Sequence, residues 1–129
     1  MRRSAGILVK NGNEVLLCKR SDDCKTFAGH WSIPGGGIEK NESSQSAAIR
    51  EFLEETNAYI NEPMILVGTS VDEKTSHKMD VFLVDIDRRI PVSLQDARDG
   101  FEHTECRYFQ MDDLPIPMPN GLKQIINNL

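Results

Sequence analysis

The chain has 129 residues, 39% of them hydrophobic and 27% charged, which suits one soluble globular domain, residues 1–129, with a core of its own. A formal net charge of −5 argues against general nucleic-acid affinity and requires a local cation wherever an anionic substrate binds. No apolar run approaches the roughly 20 residues of a membrane span, and the three cysteines, read as free thiols, make the cytoplasm the expectation.

In chain order, "MRRSAGILVKNGNE" puts basic residues before an apolar stretch, but Lys10 cuts that stretch and no small-residue cleavage site follows. It reads as a strand rather than a leader. "AGILVK" and "EVLLCKR" are two apolar-rich strands around "NGN", where Asn11-Gly12 is a hairpin signal because both residues tolerate positive φ. "WSIPGGG" reads as a short strand ending in a Pro-Gly break. Ser43 to Thr56 is helical, with Ser43 as N-cap and Asn57 as a left-handed stop. "PMILVGTSV" and "KMDVFLVDI" are further strands joined by polar "DEKTSH". "RRIPVSLQDARDGFEHTE" is the longest loop-like stretch, and long loops in compact domains are often functional. "CRYFQM" is a late strand, the prolines of "DDLPIPMP" bar regular structure, and "NGLKQIINNL" closes as a helix. Strands mixed with two helices make a layered α/β domain with a mixed or antiparallel sheet. Cys18, Cys24 and Cys106 form no CxxC pair, so free thiols in a reducing compartment are expected rather than a zinc site.

The helix carries an unusual load. At 100° per residue, Ala48, Ile49, Phe52 and Leu53 span an arc of about 140° that includes Thr56, a face built for a core. Glu51, Glu54 and Glu55 occupy another arc of about 100°, with Arg50 at its edge. Glu51 lies one turn from both other glutamates, and each such like-charge pair costs a few tenths of a kcal/mol. Arg50 cannot neutralise all three. Spacing alone leaves two readings, a solvated face or a hard cation held by carboxylates, water and substrate phosphate. Gly35, Gly36 and Gly37 favour the second, because a backbone of that freedom can bring a carbonyl oxygen to the same cation. No Gly-Lys-Ser/Thr follows, so this is not a Walker loop.

"GGIEKNESSQSAAIREFLEETNA" resembles the Nudix box: Gly36, Glu42, Arg50, Glu51, Glu54 and Glu55 match at that family's spacing. Phe52 is a loose match, Asn57 replaces the usual glycine and Ala58 an aliphatic residue. The resemblance implies an α/β/α sandwich with a mixed β-sheet and a catalytic helix at about 43–56. It implies metal-dependent hydrolysis of a pyrophosphate bond in a nucleoside diphosphate linked to another moiety, with Mg²⁺ or Mn²⁺ as cofactor. Glu54 and Glu55 would then be the main metal ligands, the Gly35 carbonyl another, and Glu51 a further ligand or the base that activates water. Glu42 and Arg50 would be structural, with Gly36, and would pair with each other. The family's extra loop glutamate corresponds to Glu102, counting back from Tyr108, or second to Glu105, while His103 reads as a loop histidine.

Arg20 and Lys25 are candidate phosphate contacts, and Phe27 and Trp31 could stack on a base, although Trp31 equally suits a core. Subfamily marks are sparse. Glu73 stands near the proline of ADP-ribose hydrolases and Ser76 near the tyrosine of diadenosine polyphosphate hydrolases. "LLCKRSDDCKTFAGHWSIPGG" partly resembles a coenzyme A signature, with departures at Cys18 and Lys25. By elimination the substrate is a nucleoside triphosphate or related small nucleotide. A coenzyme A-type pyrophosphatase, a nucleotide-sensing module without turnover and an RNA-end hydrolase remain as alternatives, the last disfavoured by the acidic charge. A homodimer stays open.

Overall fold

A computed structural model describes residues 3–24, 27–93 and 103–129. In chain order these residues form β1 (Arg3–Asn11), β2 (Glu14–Arg20), β3 (Trp31–Ser32), β4 (Gly35–Gly37), α1 (Ser44–Thr56), β5 (Ile65–Asp72), β6 (His77–Ile86), β7 (His103–Gln110) and α2 (Asn120–Asn127). The strands make one sheet along the path β3-β2-β1-β6-β5, with β4 also on β1 and β7 on β2. β1 and β6 run parallel, from Arg3 opposite Lys78 to Asn11 opposite Ile86. The other ladders among the described residues are antiparallel, so the sheet is mixed.

β1 is the central strand, and its side chains divide between two cores by simple alternation. Ala5, Ile7 and Val9 join Leu16, Phe82 and Val84 beneath Ala47, Ala48 and Phe52 of α1. Leu8 joins Val15, Leu17, Trp31, Ile33 and Val81 against Leu122 and Ile126 of α2. The result is the α/β/α sandwich. Complete burial of Phe52 contributes about 2 kcal/mol toward seating α1 on its face. Among the described residues no helix is long and apolar enough to cross a membrane.

The caps of α1 follow the sequence. Ser43 Oγ accepts from the Ser46 amide at 3.1 Å, and Asn57 at φ 60° donates its N–H to the Leu53 carbonyl at 3.0 Å. The buried face differs from expectation. It comprises Ala47, Ala48, Phe52, Glu55 and Thr56, whereas Leu53 is 40% exposed. The inward arc is thus rotated by about 80° and centred near Glu55.

Four further readings are corrected. The first hairpin turns on Gly12 and Asn13, between paired Asn11 and Glu14, and of these only Gly12 has positive φ, 59°. Asn11 stays in the ladder because β6 holds it on the other side. "WSIPGGG" divides at Pro34 into β3 and β4, so the glycines are strand residues: Ala5 faces Gly36 and Gly6 faces Gly35. The late strand begins at His103, three residues before "CRYFQM". Cys18 and Cys106 stand directly opposite in the β2–β7 ladder, with Cα atoms 3.9 Å apart, and form a disulfide rather than free thiols. Cys24 keeps its thiol, 3.6 Å from Ser21 Oγ.

Candidate active site

Three glutamates that look alike in sequence occupy three environments. Their side chains are 53% exposed at Glu54, 16% at Glu51 and 8% at Glu55. Glu51 lies against β4, where Gly36 makes its position available: a Cβ there would stand 2.5 Å from Oε2 and 2.6 Å from Oε1 of Glu51. Any other residue would push the carboxylate away. Glu55 projects deeper, and its Oε1 accepts from the Gly35 amide at 3.3 Å.

Arg50 ties the outer glutamates together. Its Nε and Nη2 donate to the two oxygens of Glu42 at 2.8 and 3.0 Å, and Nη2 also reaches the Gly37 carbonyl at 2.9 Å. Nη1 donates to Glu51 Oε1 at 3.0 Å and to Glu54 Oε2 at 3.4 Å. Such a two-pronged guanidinium–carboxylate contact fixes orientation as well as charge. The hydrogen bonds from Arg50 and the Glu39 amide hold the Glu42 carboxyl down at about 2, and Glu42 in turn raises Arg50. The first turn of α1 is anchored separately. Asp80 on β6 accepts from Ser44 Oγ at 2.7 Å, Arg3 Nη2 at 2.6 Å and Thr69 Oγ1 at 3.1 Å. Burial alone would raise the Asp80 pKa, but these donors outweigh it and lower it.

His103, read from sequence as a loop histidine, is 4% exposed at the start of β7. Its Nδ1 lies 3.1 Å from Glu55 Oε1. Burial, with the nearby charge of Arg20, pushes the imidazole down to about 4, so the ring is neutral near pH 7. Facing a carboxylate, Nδ1 carries the ring proton and donates it. Nε2 is buried and has no hydrogen-bond partner among the described residues. The sequence hides this contact because it reads as a loop at His103, whereas His103 begins β7 beside a register slip at Lys19/Arg20. Lys19 pairs with Glu105 but Arg20 pairs with His103, which leaves Thr104 as an extra residue. Such a bulge turns the following side chain to the opposite face.

The other candidates scatter. Arg20 ends β2 opposite His103. Phe27, at φ 51°, meets His30 edge-on with ring centroids 5.3 Å apart. Trp31 is only 7% exposed and packs edge-on against Phe109 at 4.8 Å in the α2-side core, so the sheet separates it from α1. Glu105 shares the sheet face of Leu17, away from α1, and bonds Arg107 at 2.8 Å. Lys25 and Glu102 lie outside the described residues.

The donor set suits a hard divalent cation: carboxylate oxygens on successive turns and a backbone carbonyl in β4. The cradle at Gly36 holds one of those carboxylates in place. Among the described residues no three His, Cys, Asp or Glu side chains already converge on one point. Arg50 holds Glu51 and Glu54, while the Gly35 amide and His103 hold Glu55. The site is therefore an electrostatically loaded surface on which Glu42, Glu51 and Glu54 share Arg50.

A NUDIX domain model matches residues 1–129. The nucleoside triphosphatase NudI of Escherichia coli strain K12 is 46% identical over 48 residues, 37% of this chain and 34% of that protein, so the match spans about a third of the relative's length. The MutT protein of Methanosarcina mazei Go1 superposes with a TM-score of 0.79 at 25% identity, covering 98% of this chain and 91% of that one. A MutT NUDIX hydrolase of Burkholderia pseudomallei gives a TM-score of 0.80 at 24% identity, covering 98% and 95%.

Proposed function

Because the chain belongs to the NUDIX domain family, we propose that residues 1–129 act as one hydrolase domain that cleaves a pyrophosphate bond in a small nucleotide, with Mg²⁺ or Mn²⁺ as cofactor. A nucleoside triphosphate is the favoured substrate, a choice that accords with the activity in the name of the partly matching relative. The observation that carries the reading is the Gly36 cradle, which sacrifices a side chain to seat Glu51 beside Glu54 and Glu55.

Glu54, Glu55 and the Gly35 carbonyl would hold the cation. When bound, a divalent cation offsets phosphate charge and makes water a stronger acid. Glu51 takes the proton of the attacking water, from a position fixed by Gly36 behind it and Arg50 in front. Arg50 also restrains the mutual repulsion of the carboxylates in the resting protein. Arg20 and Lys25 would contact substrate phosphate, Phe27 would meet the base, and Glu102 would add a further carboxylate. No covalent nucleophile is required.

Purified protein is incubated with nucleoside triphosphates, dinucleoside polyphosphates, ADP-ribose and coenzyme A, with Mg²⁺, Mn²⁺ or a chelator. Phosphate or pyrophosphate release that needs the cation supports the proposal. Cation-independent release, or none from any member of the panel, overturns it.

A further inference from the structure

We propose that His103 is a positioning residue for Glu55, its Nδ1–H fixing the carboxylate orientation in which Glu55 meets a divalent cation. The inference rests on the hydrolase reading above and extends it to a residue outside the motif.

Three independent features carry it. The first is the contact itself: Nδ1 and Glu55 Oε1 are 3.1 Å apart, shorter than the 3.3 Å of the Gly35 amide to the same oxygen. Both side chains are almost fully buried, at 2% and 8% exposure, so the ring N–H meets the carboxylate where solvent cannot substitute. The second is the register. Without Thr104 as an extra residue, alternation from Cys106 would turn His103 to the α2 side of the sheet; the bulge turns it toward α1. The third is selectivity among the glutamates. Arg50 Nη1 bonds Glu51 and Glu54, whereas the His103 ring and the Gly35 amide both meet Glu55 Oε1. Donors that hold a ligand's orientation in this way typically govern about 10–100-fold in metal affinity.

The test titrates the full-length protein with Mn²⁺ alone, monitored by electron paramagnetic resonance. His103→Leu is expected to weaken Mn²⁺ binding by about 10–100-fold, and His103→Asn, whose Nδ2 falls near the Nδ1 place, to remain within about threefold of wild type. His103→Gln sets its donor at the other ring position and should bind as weakly as the leucine variant, which it replaces should that variant fail to fold. In turnover, the weakened variants need correspondingly more cation but regain wild-type kcat within about threefold at saturation, with nucleotide KM little changed. A purely structural role would lower kcat at every cation concentration, and that result overturns the assignment. So does wild-type Mn²⁺ affinity in both His103→Leu and His103→Gln. Failure of the wild-type protein to take up Mn²⁺ removes the hydrolase reading as well, whereas uptake that ignores His103 removes this inference alone.

Discussion

Gly36→Ala separates the role of the glycine strand from ordinary packing. Gly36 does not have positive φ, so the backbone accepts alanine, and the consequence is confined to the new methyl group. That carbon would stand 2.4 Å from Cδ and 2.5 and 2.6 Å from the oxygens of Glu51, where ordinary contact begins at 3.4 Å, so the carboxylate must retreat by about 0.8–1.0 Å. Because the obstacle is the end of a flexible side chain, the stability cost is about 1 kcal/mol, a fall in Tm of about 4 °C. Catalysis is far less tolerant: misplacement of a reacting group by about 1 Å costs about 100-fold in kcat. Gly37→Ala is the matched control, since a Cβ there meets nothing within 4 Å. Steady-state kinetics and calorimetric melting of both variants decide the matter. Wild-type kcat in Gly36→Ala, or equal losses in the two variants, would refute the role given to the cradle.

Three more outcomes are expected. Glu54 is 53% exposed, so Glu54→Gln should melt within about 2 °C of wild type yet lose about 100-fold in kcat/KM; unchanged turnover would remove Glu54 from the site. Arg50→Lys breaks the two-pronged hold on Glu42 that an ammonium cannot reproduce, at a cost of about 2 kcal/mol or about 8 °C in Tm, and an unshifted melt would show that the clasp adds no stability. Away from the site, hydrogen bonds from Arg89 and Asn11 depress the Glu14 pKa from 4.5 to about 2. The folded value lies below the unfolded one, so this stabilisation is complete above pH 4.5 and fades as pH falls toward 2. The Tm gap between wild type and Glu14→Gln should therefore narrow across that window, and a constant gap would contradict it.

Local signals gave the frame of α1: Ser43 and Asn57 bound it for reasons that reside in their own side chains and backbone. The layers were also legible, because apolar runs of strand length between two amphipathic segments have few ways to pack. The rotation of α1 was not. Hydrophobicity places a carboxylate outside, whereas Gly36 of β4 makes room for Glu51 and the Gly35 amide meets Glu55. His103 escaped for a different reason. It reads as part of a loop ahead of "CRYFQM", whereas β7 begins at His103 and the extra residue Thr104 sets the face it takes. The Cys18–Cys106 bridge joins positions 88 apart whose adjacency exists only in the β2–β7 ladder. Trp31 illustrates the reverse case: an aromatic next to the glycine run went to the far core, since alternation along β3 and β2 outranks proximity in sequence.

The central claim is that the Glu51, Glu54 and Glu55 face of α1 captures a divalent cation. Isothermal titration of Mg²⁺ and Mn²⁺ into the wild-type protein and into a variant with all three glutamates changed to glutamine, each with and without a nonhydrolysable nucleotide, tests it most directly. The account predicts saturable heat from the wild type and none from the triple variant. Equal heats from both proteins, or none from the wild type even with nucleotide present, would contradict it.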